Sequence, residues 1–348
     1  MALAAVLRHL LRRDPPLTGQ PPRVSILKPV HGQDSFFAGA IQSHTRIDYP
    51  DYELLFGVGD PHDQAVPVVS AVTGAKLIVR DFDRPNAKAA SLIAMSREAT
   101  GDIWVVNDGD IRVTPDYLRG VVAPLLADPS AGVVTCLYRA VAEDFPGRWE
   151  ALGIATEFAP STLVAPLVGI NEFGLGSTLC FRAADLRQAG GFEPISSYLA
   201  DDYQLARRLT RGLGKKSWMS RMVVDTHVGY SSWRGVWRHQ VRWARTIRVS
   251  RGDGYLGLPI TYAALWALLA LLAGQPGLAL AVVAARIVMG FVAGAVLIRL
   301  QDAWMLPLIP LWDLWAFAVW IAGLRGNTIE WRGRRMRLHP DGRLSPHY

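Results

Sequence analysis

Three sets of acidic residues and one arginine-rich segment carry the side chains that could do chemistry. The best defined is Asn107-Asp108-Gly109-Asp110, which directly follows the apolar run Ile103-Trp104-Val105-Val106. Two carboxylates one residue apart at the end of a strand can reach one hard divalent cation, so Asp108 and Asp110 predict a site for Mg²⁺ or Mn²⁺ that would also take diphosphate oxygens. The alternative, an Asp-Gly hairpin turn, is disfavoured because Thr114-Pro115-Asp116 indicates the start of a helix.

Asp60 and the Asp201-Asp202 pair form the other two acidic sets. Asp60 follows another apolar run and could accept a hydrogen bond from the base or ribose of a nucleotide, although Asp60-Pro61 could equally start a turn. Asp201 and Asp202 stand at the predicted start of an amphipathic helix that runs to Leu213. Acids at this position commonly cap the helix. Two in succession exceed what capping needs, so one can act as a general base.

The arginine-rich segment, residues 233–251, contains His239-Gln240-Val241-Arg242-Trp243. Its arginines recur every three or four residues and therefore share one face of a helix. Such a stripe beside Trp233 and Trp237 is typical of a helix at a membrane interface. Arg242 could instead turn inward and place its guanidinium group on a phosphate.

The composition indicates that part of the chain lies in lipid. Half of the 348 residues are apolar and 19% are charged, and the mean hydropathy is +0.17. These values disfavour intrinsic disorder and a nucleic-acid-binding tail, so we expect no nucleic-acid partner. Cys136 and Cys180 are too few for a disulfide framework and lack metal-ligand spacing.

Three apolar stretches predict membrane helices of about 20 residues each, at residues 255–273, 277–298 and 304–324. Residues 233–251 carry +6 and residues 325–348 carry +4, which leaves −3 of the net +7 for the rest of the chain. Basic flanks stay in the cytoplasm, which requires an even number of crossings. We therefore predict a hairpin of the first two stretches, turned at Gly274-Gln275-Pro276-Gly277. The third, which contains Asp313 and two prolines, would be re-entrant or kinked.

Alternating strand and helix patterns predict a doubly wound α/β sheet between residues 23 and 139. Ligands bind beyond the carboxyl ends of strands in such sheets, and the three sets of acids stand at such strand ends or near them. The predicted strands are residues 24–30, 53–58, 76–79, 103–107 and 133–138, and the helices include residues 86–99 and 115–127.

In order along the chain, Asp60, Asp108/Asp110, Asp202 and Arg242-Trp243 resemble the D, DxD, D, (Q/R)xxRW series of family 2 and family 21 glycosyltransferases. The resemblance is strongest to the ceramide glucosyltransferase-like family, including bacterial hopanoid-biosynthesis glycosyltransferases. His239 stands where that motif has Gln or Arg. Further matches are the first-strand run of residues 24–32, Pro85-Asn86-Ala87-Lys88, Asp110-Ile111-Arg112-Val113 and the tail run of residues 327–333.

The resemblance implies a GT-A (nucleotide-diphospho-sugar transferase) fold, a UDP-sugar donor, a lipid acceptor and inversion at the anomeric carbon. It places the catalytic domain on the cytoplasmic side of a bacterial inner membrane. Asp202 would be the general base, and Trp243 would line the acceptor side of the site. The donor would be bound by Asp60, Lys88, Asp108, Asp110 and Arg242, with Mg²⁺ or Mn²⁺ on Asp108 and Asp110.

Several functions remain open at the level of sequence. Ceramide with UDP-glucose and a hopanoid with UDP-N-acetylglucosamine both fit the resemblance. A processive polysaccharide synthase is disfavoured because one or two hairpins cannot enclose a polymer channel, and a non-catalytic scaffold has no need for strand-end carboxylates. We predict five segments: an N-terminal interfacial or anchor segment with linker (1–22), the catalytic domain (23–230), a basic interfacial helix (231–252), transmembrane or re-entrant helices (253–324) and a basic cytoplasmic tail (325–348).

Overall fold

The computed structural model describes residues 1–228, 232–331 and 334–346, with the side chains of residues 331 and 334 left out. The chain divides into two compact units. The sheet unit comprises Arg12–Tyr138 and Gly169–His227, and the helical unit comprises Met1–Leu11, Arg139–Val168 and Val228–Tyr348. We predict one contiguous catalytic domain at 23–230, whereas residues 139–168 group with the helical unit. The predicted boundary at 230/231 lies outside the described residues.

A seven-stranded sheet forms the centre of the sheet unit. Its order is β3-β2-β1-β4-β6-β5-β7, and the first four strands in this order are parallel, whereas β6 is antiparallel to β4 and β5. The strands are β1 (Val24–Pro29), β2 (Tyr52–Val58), β3 (Lys76–Val79), β4 (Ile103–Val106), β5 (Ala131–Val141), β6 (Leu179–Arg182) and β7 (Lys216–His227).

Helices cover both faces of this sheet because its central strands are apolar on both sides. Ile26 and Leu27 of β1, for example, are both buried but belong to hydrophobic clusters on opposite faces. The helices of the sheet unit are α2 (Phe37–His44), α3 (Ala65–Ser70), α4 (Ala87–Ser96), α5 (Tyr117–Ala127), α8 (Ala183–Gln188) and α9 (Asp201–Leu209).

The predicted α/β fold is confirmed, and all five predicted strands are present within a few residues of their expected bounds. β6 and β7 are not predicted. β6 has only four residues, and β7 mixes charged, polar and apolar residues without regular alternation.

The helical unit contains the apolar helices. Its α-helices are α1 (Ala2–Leu11), α6 (Phe145–Gly153), α7 (Ala159–Val164), α10 (Trp233–Ser250), α11 (Gly252–Gly257), α12 (Ala263–Leu272), α13 (Pro276–Phe291) and α14 (Ile309–Gly323). Within the described residues, three continuous helical segments are long and apolar enough to cross a membrane: Phe145–Val168, Pro276–Leu297 and Ala303–Gly323. A fourth span would exist if the bent pair Gly252–Thr261 and Ala263–Leu272 counts as one.

The three predicted apolar stretches are helical, but the break lies elsewhere than predicted. The first stretch bends by 55°, at a 3₁₀ segment that contains Pro259. The turn at Gly274 is present, with a positive φ that suits glycine. The third stretch is continuous because Pro307 falls in its initial 3₁₀ turn and Pro310 in the first turn of α14, where proline is tolerated.

Phe145–Val168 is an apolar helical segment that the sequence analysis does not single out. It joins α6 and α7 through a π-helix at Ile154–Phe158. Its most apolar stretch of 18 residues has a mean hydropathy of 1.4, the lowest value among the three segments. Three prolines and the acids Glu150 and Glu157 hide its apolar character in the sequence.

The charges inside the apolar helices neutralise each other. Arg286 of α13 lies 2.8 Å from Asp313 of α14, and the two side chains are 5% and 1% exposed. Arg286 also donates to the backbone oxygen of Thr156 at 3.0 Å, and Trp312 donates to Glu157 at 2.6 Å. Asp313 therefore serves as a contact between helices and does not require a re-entrant loop.

The predicted tail is folded. Three antiparallel strands, β8 (Thr328–Trp331), β9 (Arg334–Leu338) and β10 (Leu344–Pro346), form a small C-terminal sheet. Arg332 and Gly333 of the tail motif lie outside the described residues.

Candidate active site

A buried lysine connects two of the three acidic sets. Lys88, at the second position of α4, places its Nζ 2.6 Å from Asp108 Oδ1 and 3.1 Å from Asp201 Oδ2. Burial alone would lower the pKa of Lys88, but the negative charges of Asp108, Asp201 and Asp202 raise it well above its ordinary value. Lys88 therefore stays protonated and holds these acids together.

A second lysine shapes the turn that carries Asp108 and Asp110. Lys28 is fully buried on β1 and donates to the backbone oxygens of Asp108 at 2.7 Å and Ile111 at 3.1 Å. Burial lowers its pKa to about 7, against the opposing charges of Asp110 and Asp108. In the sequence Lys28 is visible only as a charge inside an apolar strand, which is itself a sign of a paired or functional lysine.

Asp110 is held by the last residues of β7. Arg112 and Asp225 exchange two backbone hydrogen bonds of 2.9 and 3.0 Å, and next to this bridge the Thr226 hydroxyl donates to Asp110 Oδ2. Burial and the negative charge of Asp108 raise the pKa of Asp110. Thr226 is a site residue that the sequence analysis misses, because it lies 116 residues from its partner.

Asp201 and Asp202 have different surroundings, although they are adjacent. Asp201 is buried and bonded to both Lys88 and Asn86 Nδ2, the latter at 3.2 Å. Asp202 is half-buried and accepts from the backbone N–H groups of Gly176 at 3.0 Å and Tyr203 at 2.7 Å. Burial and the charge of Asp201 raise the pKa of Asp202 to about 6. Asp202 is therefore the more accessible of the two carboxylates, and its pKa lies above the ordinary aspartate value.

Gly176 leaves space beside these acids. Its backbone oxygen accepts from the N–H of Asp108 at 3.2 Å, while its own N–H donates to Asp202. A Cβ atom at Gly176 would lie 2.6 Å from Asp108 Oδ2 and 3.3 Å from Lys88 Nζ. Any side chain here would fill the space in front of the Asp108 carboxylate. The only feature of the sequence that marks Gly176 is the run Gly174-Leu175-Gly176, which stands before a strand that is not predicted.

The donor set at Asp108 and Asp110 fits a hard divalent cation. No group of three or more His, Cys, Asp or Glu side chains in the described part of the chain could hold a metal ion, so the protein would supply two carboxylates. Asp108 is 39% exposed and keeps Oδ2 facing the space at Gly176. The repulsion that raises the pKa of Asp110 would be relieved by a bound cation. The remaining ligands would come from water or phosphate.

Asp60 is not part of this linked set. It is exposed after the end of β2, and its carboxylate accepts from the His62 backbone N–H at 2.8 Å. This is the Asp-Pro turn that the sequence also allows. The neighbouring Asp63 bonds His31 at 2.7 Å and the Gly32 N–H at 2.8 Å, which ties the turn after β1 to the turn after β2.

Arg242 and Trp243 lie on α10 in the helical unit, whereas the acids lie in the sheet unit. Trp243 packs against His239, with ring centroids 4.6 Å apart, and against Phe158 at 6.0 Å. His239 Nδ1 lies 2.6 Å from Glu150 Oε1, and Gln240 donates to the same oxygen at 2.7 Å. The Glu150 side chain is 1% exposed. His239 and Gln240 thus share one buried carboxylate.

Two arginines of the α10 stripe contact the chain that follows α14. Arg245 donates to the backbone oxygens of Arg325 at 3.1 Å and Thr328 at 2.7 Å. Arg248 donates to the Gly326 backbone oxygen at 2.9 Å and to Asn327 Oδ1 at 2.7 Å. These two arginines connect α10 to the chain after α14, whereas the interfacial interpretation of the sequence assigns most of the stripe to a membrane surface.

Comparisons with known proteins agree with this architecture. The chain is 26% identical over 212 residues to ceramide glucosyltransferase 1 of Caenorhabditis elegans, covering 59% of this chain and 44% of that protein. It is 27% identical over 212 residues to ceramide glucosyltransferase 3 of the same organism, covering 58% and 45%. The chain spans about half the length of the curated relatives it matches.

Among solved structures, a mannosyltransferase from Pyrobaculum calidifontis in complex with GDP-Man and Mn²⁺ is similar over 92% of each chain, with a TM-score of 0.54 and 20% identity. This similarity supports the GT-A fold. The sequence profile of glycosyl transferase family 21 matches residues 1–344, nearly the whole chain. The chain therefore belongs to glycosyl transferase family 21.

Proposed function

We propose that this chain is a membrane-bound inverting glycosyltransferase that moves one sugar from a UDP-sugar to a hydroxyl group of a lipid acceptor. The observation that carries the proposal is the linked set of Asp108, Lys88 and Asp201, with the accessible Asp202 beside it. The names of the C. elegans relatives support glucose and ceramide as the first substrates to test. The apolar helices support an acceptor that resides in a membrane.

The donor side of the reaction uses positive charge. Asp108 and Asp110 would hold Mg²⁺ or Mn²⁺. When bound, that cation would stabilise the negative charge of the departing diphosphate. Lys88 supplies a buried ammonium group next to Asp108 that can donate to a phosphate oxygen. In this assignment Asp60 would bind the uridine and Arg242 would add a guanidinium group to the diphosphate.

The acceptor side uses Asp202 as the general base. With a pKa of about 6, Asp202 is mainly ionised at neutral pH and is more basic than an ordinary aspartate. It would take the proton of the acceptor hydroxyl while the acceptor oxygen bonds to the anomeric carbon. The bond from that carbon to the diphosphate breaks on the opposite face, which inverts the configuration. Asp201 would position Lys88, and Trp243 would wall the acceptor.

Substitution of the adjacent aspartates tests this assignment. Asp202→Asn should lower the transfer rate by about 10²–10⁴-fold, the usual contribution of a general base, while donor binding is retained. Asp201→Asn is the matched control and should have the smaller effect, expressed mainly in the KM for the donor. The assay is transfer of labelled sugar from UDP-glucose to added ceramide, with UDP-glucose binding measured separately.

The same assay separates the alternative functions. A larger loss in Asp201→Asn than in Asp202→Asn would make Asp201 the base. Polymer formation without added acceptor would indicate a polysaccharide synthase, and failure to consume any donor would indicate a scaffold. Parallel reactions with UDP-N-acetylglucosamine and a polyol-bearing hopanoid test the other substrate pair that the resemblance allows.

The metal assignment makes a separate prediction. Asp108→Ala and Asp110→Ala should abolish transfer and weaken Mn²⁺ binding measured by electron paramagnetic resonance. EDTA should abolish transfer in the unmodified protein, and Mg²⁺ or Mn²⁺ should restore it. Asp116→Ala is the matched control and should keep both properties, because Asp116 is an exposed acid that directly precedes α5. Full transfer in excess chelator would refute the assignment.

A further inference from the structure

A basic cavity of about 350 Å³ lies between α10 and the C-terminal sheet. Four arginines line it, and the other side chains include one acid, Glu330, and the aromatic ring of Trp237. The arginines are Arg238, Arg242 and Arg245 of α10 and Arg335 of β9. Every lining residue belongs to the helical unit, whereas Asp108, Lys88 and Asp202 belong to the sheet unit.

Three of the four guanidinium groups make no ion pair within the described residues, although the charge of Glu150 acts on Arg242. Arg245 is held by backbone oxygens, and Arg238 lies 3.6 Å from Glu330. For Arg242 and Arg335, no hydrogen bond or ion pair of the guanidinium group is present within the described residues. Like charges gathered in a concave site repel one another unless an anion enters. The cavity therefore has the charge of an anion site, and arginine forks match phosphate oxygens.

The position of the cavity along the chain points to a membrane surface. α14 ends at Gly323, and Thr328, which lines the cavity, follows five residues later. α10 packs on α14 and α11 through Val241, Ala244, Val319 and Tyr255, so one wall of the cavity is attached to an apolar helix. Residues directly beyond a membrane helix lie at the depth of lipid headgroups, where tryptophan is also enriched.

We propose that this cavity binds the phosphate group of an anionic phospholipid at the membrane surface. Arg238 and Arg335 would contact the phosphate, and Trp237 would lie against the glycerol and the start of the acyl chains. The proposal depends on membrane attachment and not on sugar transfer. A nucleotide diphosphate offers the same phosphate chemistry, so the experiment separates the two sources.

The test measures binding of short-chain phosphatidylglycerol to the full-length protein in neutral detergent, followed by tryptophan fluorescence. Arg335→Gln should weaken this binding at least tenfold, the effect of losing one charge-assisted contact. Arg337→Gln removes the same charge from the same strand outside the cavity and should leave binding unchanged. Glu330→Gln should strengthen binding, which a damaged fold could not mimic.

Phosphatidylcholine, inorganic phosphate and UDP are the comparison probes. The proposal expects weak binding of all three to this cavity, with no change in UDP affinity in Arg335→Gln. It is overturned if inorganic phosphate binds as tightly as the lipid, or if Arg335→Gln weakens UDP and spares the lipid. Equal effects of Arg335→Gln and Arg337→Gln would also overturn it, because they would indicate diffuse surface charge.

Discussion

Contacts with Lys88 distinguish the roles of the acids in the site. It pairs with one acid from the turn after β4 and with one acid from the start of α9. Asp201 is consequently occupied, whereas Asp202, one residue later, is bonded to backbone N–H groups and remains accessible. The two aspartates thus differ because Lys88 pairs with Asp201.

At the residue scale, the raised pKa of Asp202 predicts an acidic limb in the rate profile. A base must be ionised, so kcat/KM should fall as the pH decreases through about 6. A divalent cation at Asp108 would favour the ionised form of Asp202 and move the midpoint lower, to a value between the ordinary aspartate value of about 4 and about 6.

The measurement is kcat/KM for transfer as a function of pH, with the folded state monitored by circular dichroism at each pH. A midpoint above pH 7 would contradict the assignment. So would full activity below about pH 4 in a folded protein, since an aspartate base would then be protonated.

At the element scale, strands and turns that are distant in sequence complete the site. β1 contributes Lys28, the turn before β6 contributes Gly176, and the end of β7 contributes Thr226. All of these contact the turn after β4 or the start of α9. β6 and β7 therefore serve the site as well as the sheet.

The buried ion pair between α13 and α14 leads to a prediction at the same scale. Asp313→Asn should destabilise the protein by about 3–5 kcal/mol, because it leaves the charge of Arg286 uncompensated. The double variant Arg286→Met, Asp313→Leu should recover much of that loss, since it removes both buried charges. Thermal unfolding in detergent measures both effects.

Asp341→Asn provides the control for this pair, because Asp341 is exposed, and its effect should stay within about 0.5 kcal/mol. If the double variant were destabilised by the full sum of its single changes, the two residues would not be energetically coupled.

At the scale of the whole molecule, the sheet restricts the path of the chain through a membrane. β5 precedes Phe145–Val168 and β6 follows it, yet β5 and β6 pair in the same sheet. We therefore expect the chain to leave and return on one side of the bilayer. Although Phe145–Val168 is long enough to span, we expect it to lie at the interface or to enter and leave on the same face.

This constraint predicts the side on which two exposed positions lie. Cysteines introduced by Val168→Cys and Asp341→Cys should both resist a membrane-impermeant thiol reagent in intact cells and react after permeabilisation. The first follows from the continuity of the sheet together with the proposed cytoplasmic position of the sheet unit. The second follows from the basic flanks of the apolar block, which favour the cytoplasm. Cys136 and Cys180 are buried and should give little background.

Labelling at residue 168 in intact cells would contradict a cytoplasmic sheet unit. Labelling at residue 341 alone would mean an odd number of crossings between α10 and the C-terminal sheet, and would remove the charge argument for a cytoplasmic tail.

The sequence by itself predicts the parallel half of the sheet, the acids at its strand ends and the apolar character of residues 255–324. These features are local: side-chain alternation defines a strand, a polar residue after an apolar run defines its end, and hydropathy accumulates over about 20 neighbouring residues. Asp108 and Asp110 could be selected for this reason, and Asp202 from its place at the predicted start of a helix.

Tertiary structure alone decided which of these residues meet. Lys88 joins acids 20 and 113 positions away, Thr226 reaches Asp110 across 116 positions, and Arg245 contacts a backbone oxygen 83 positions away. The local periodicity of a sequence does not indicate which residues meet across such separations. The same reason explains why Phe145–Val168 groups with the later apolar helices. Its partners Trp312 and Arg286 lie more than a hundred residues along the chain.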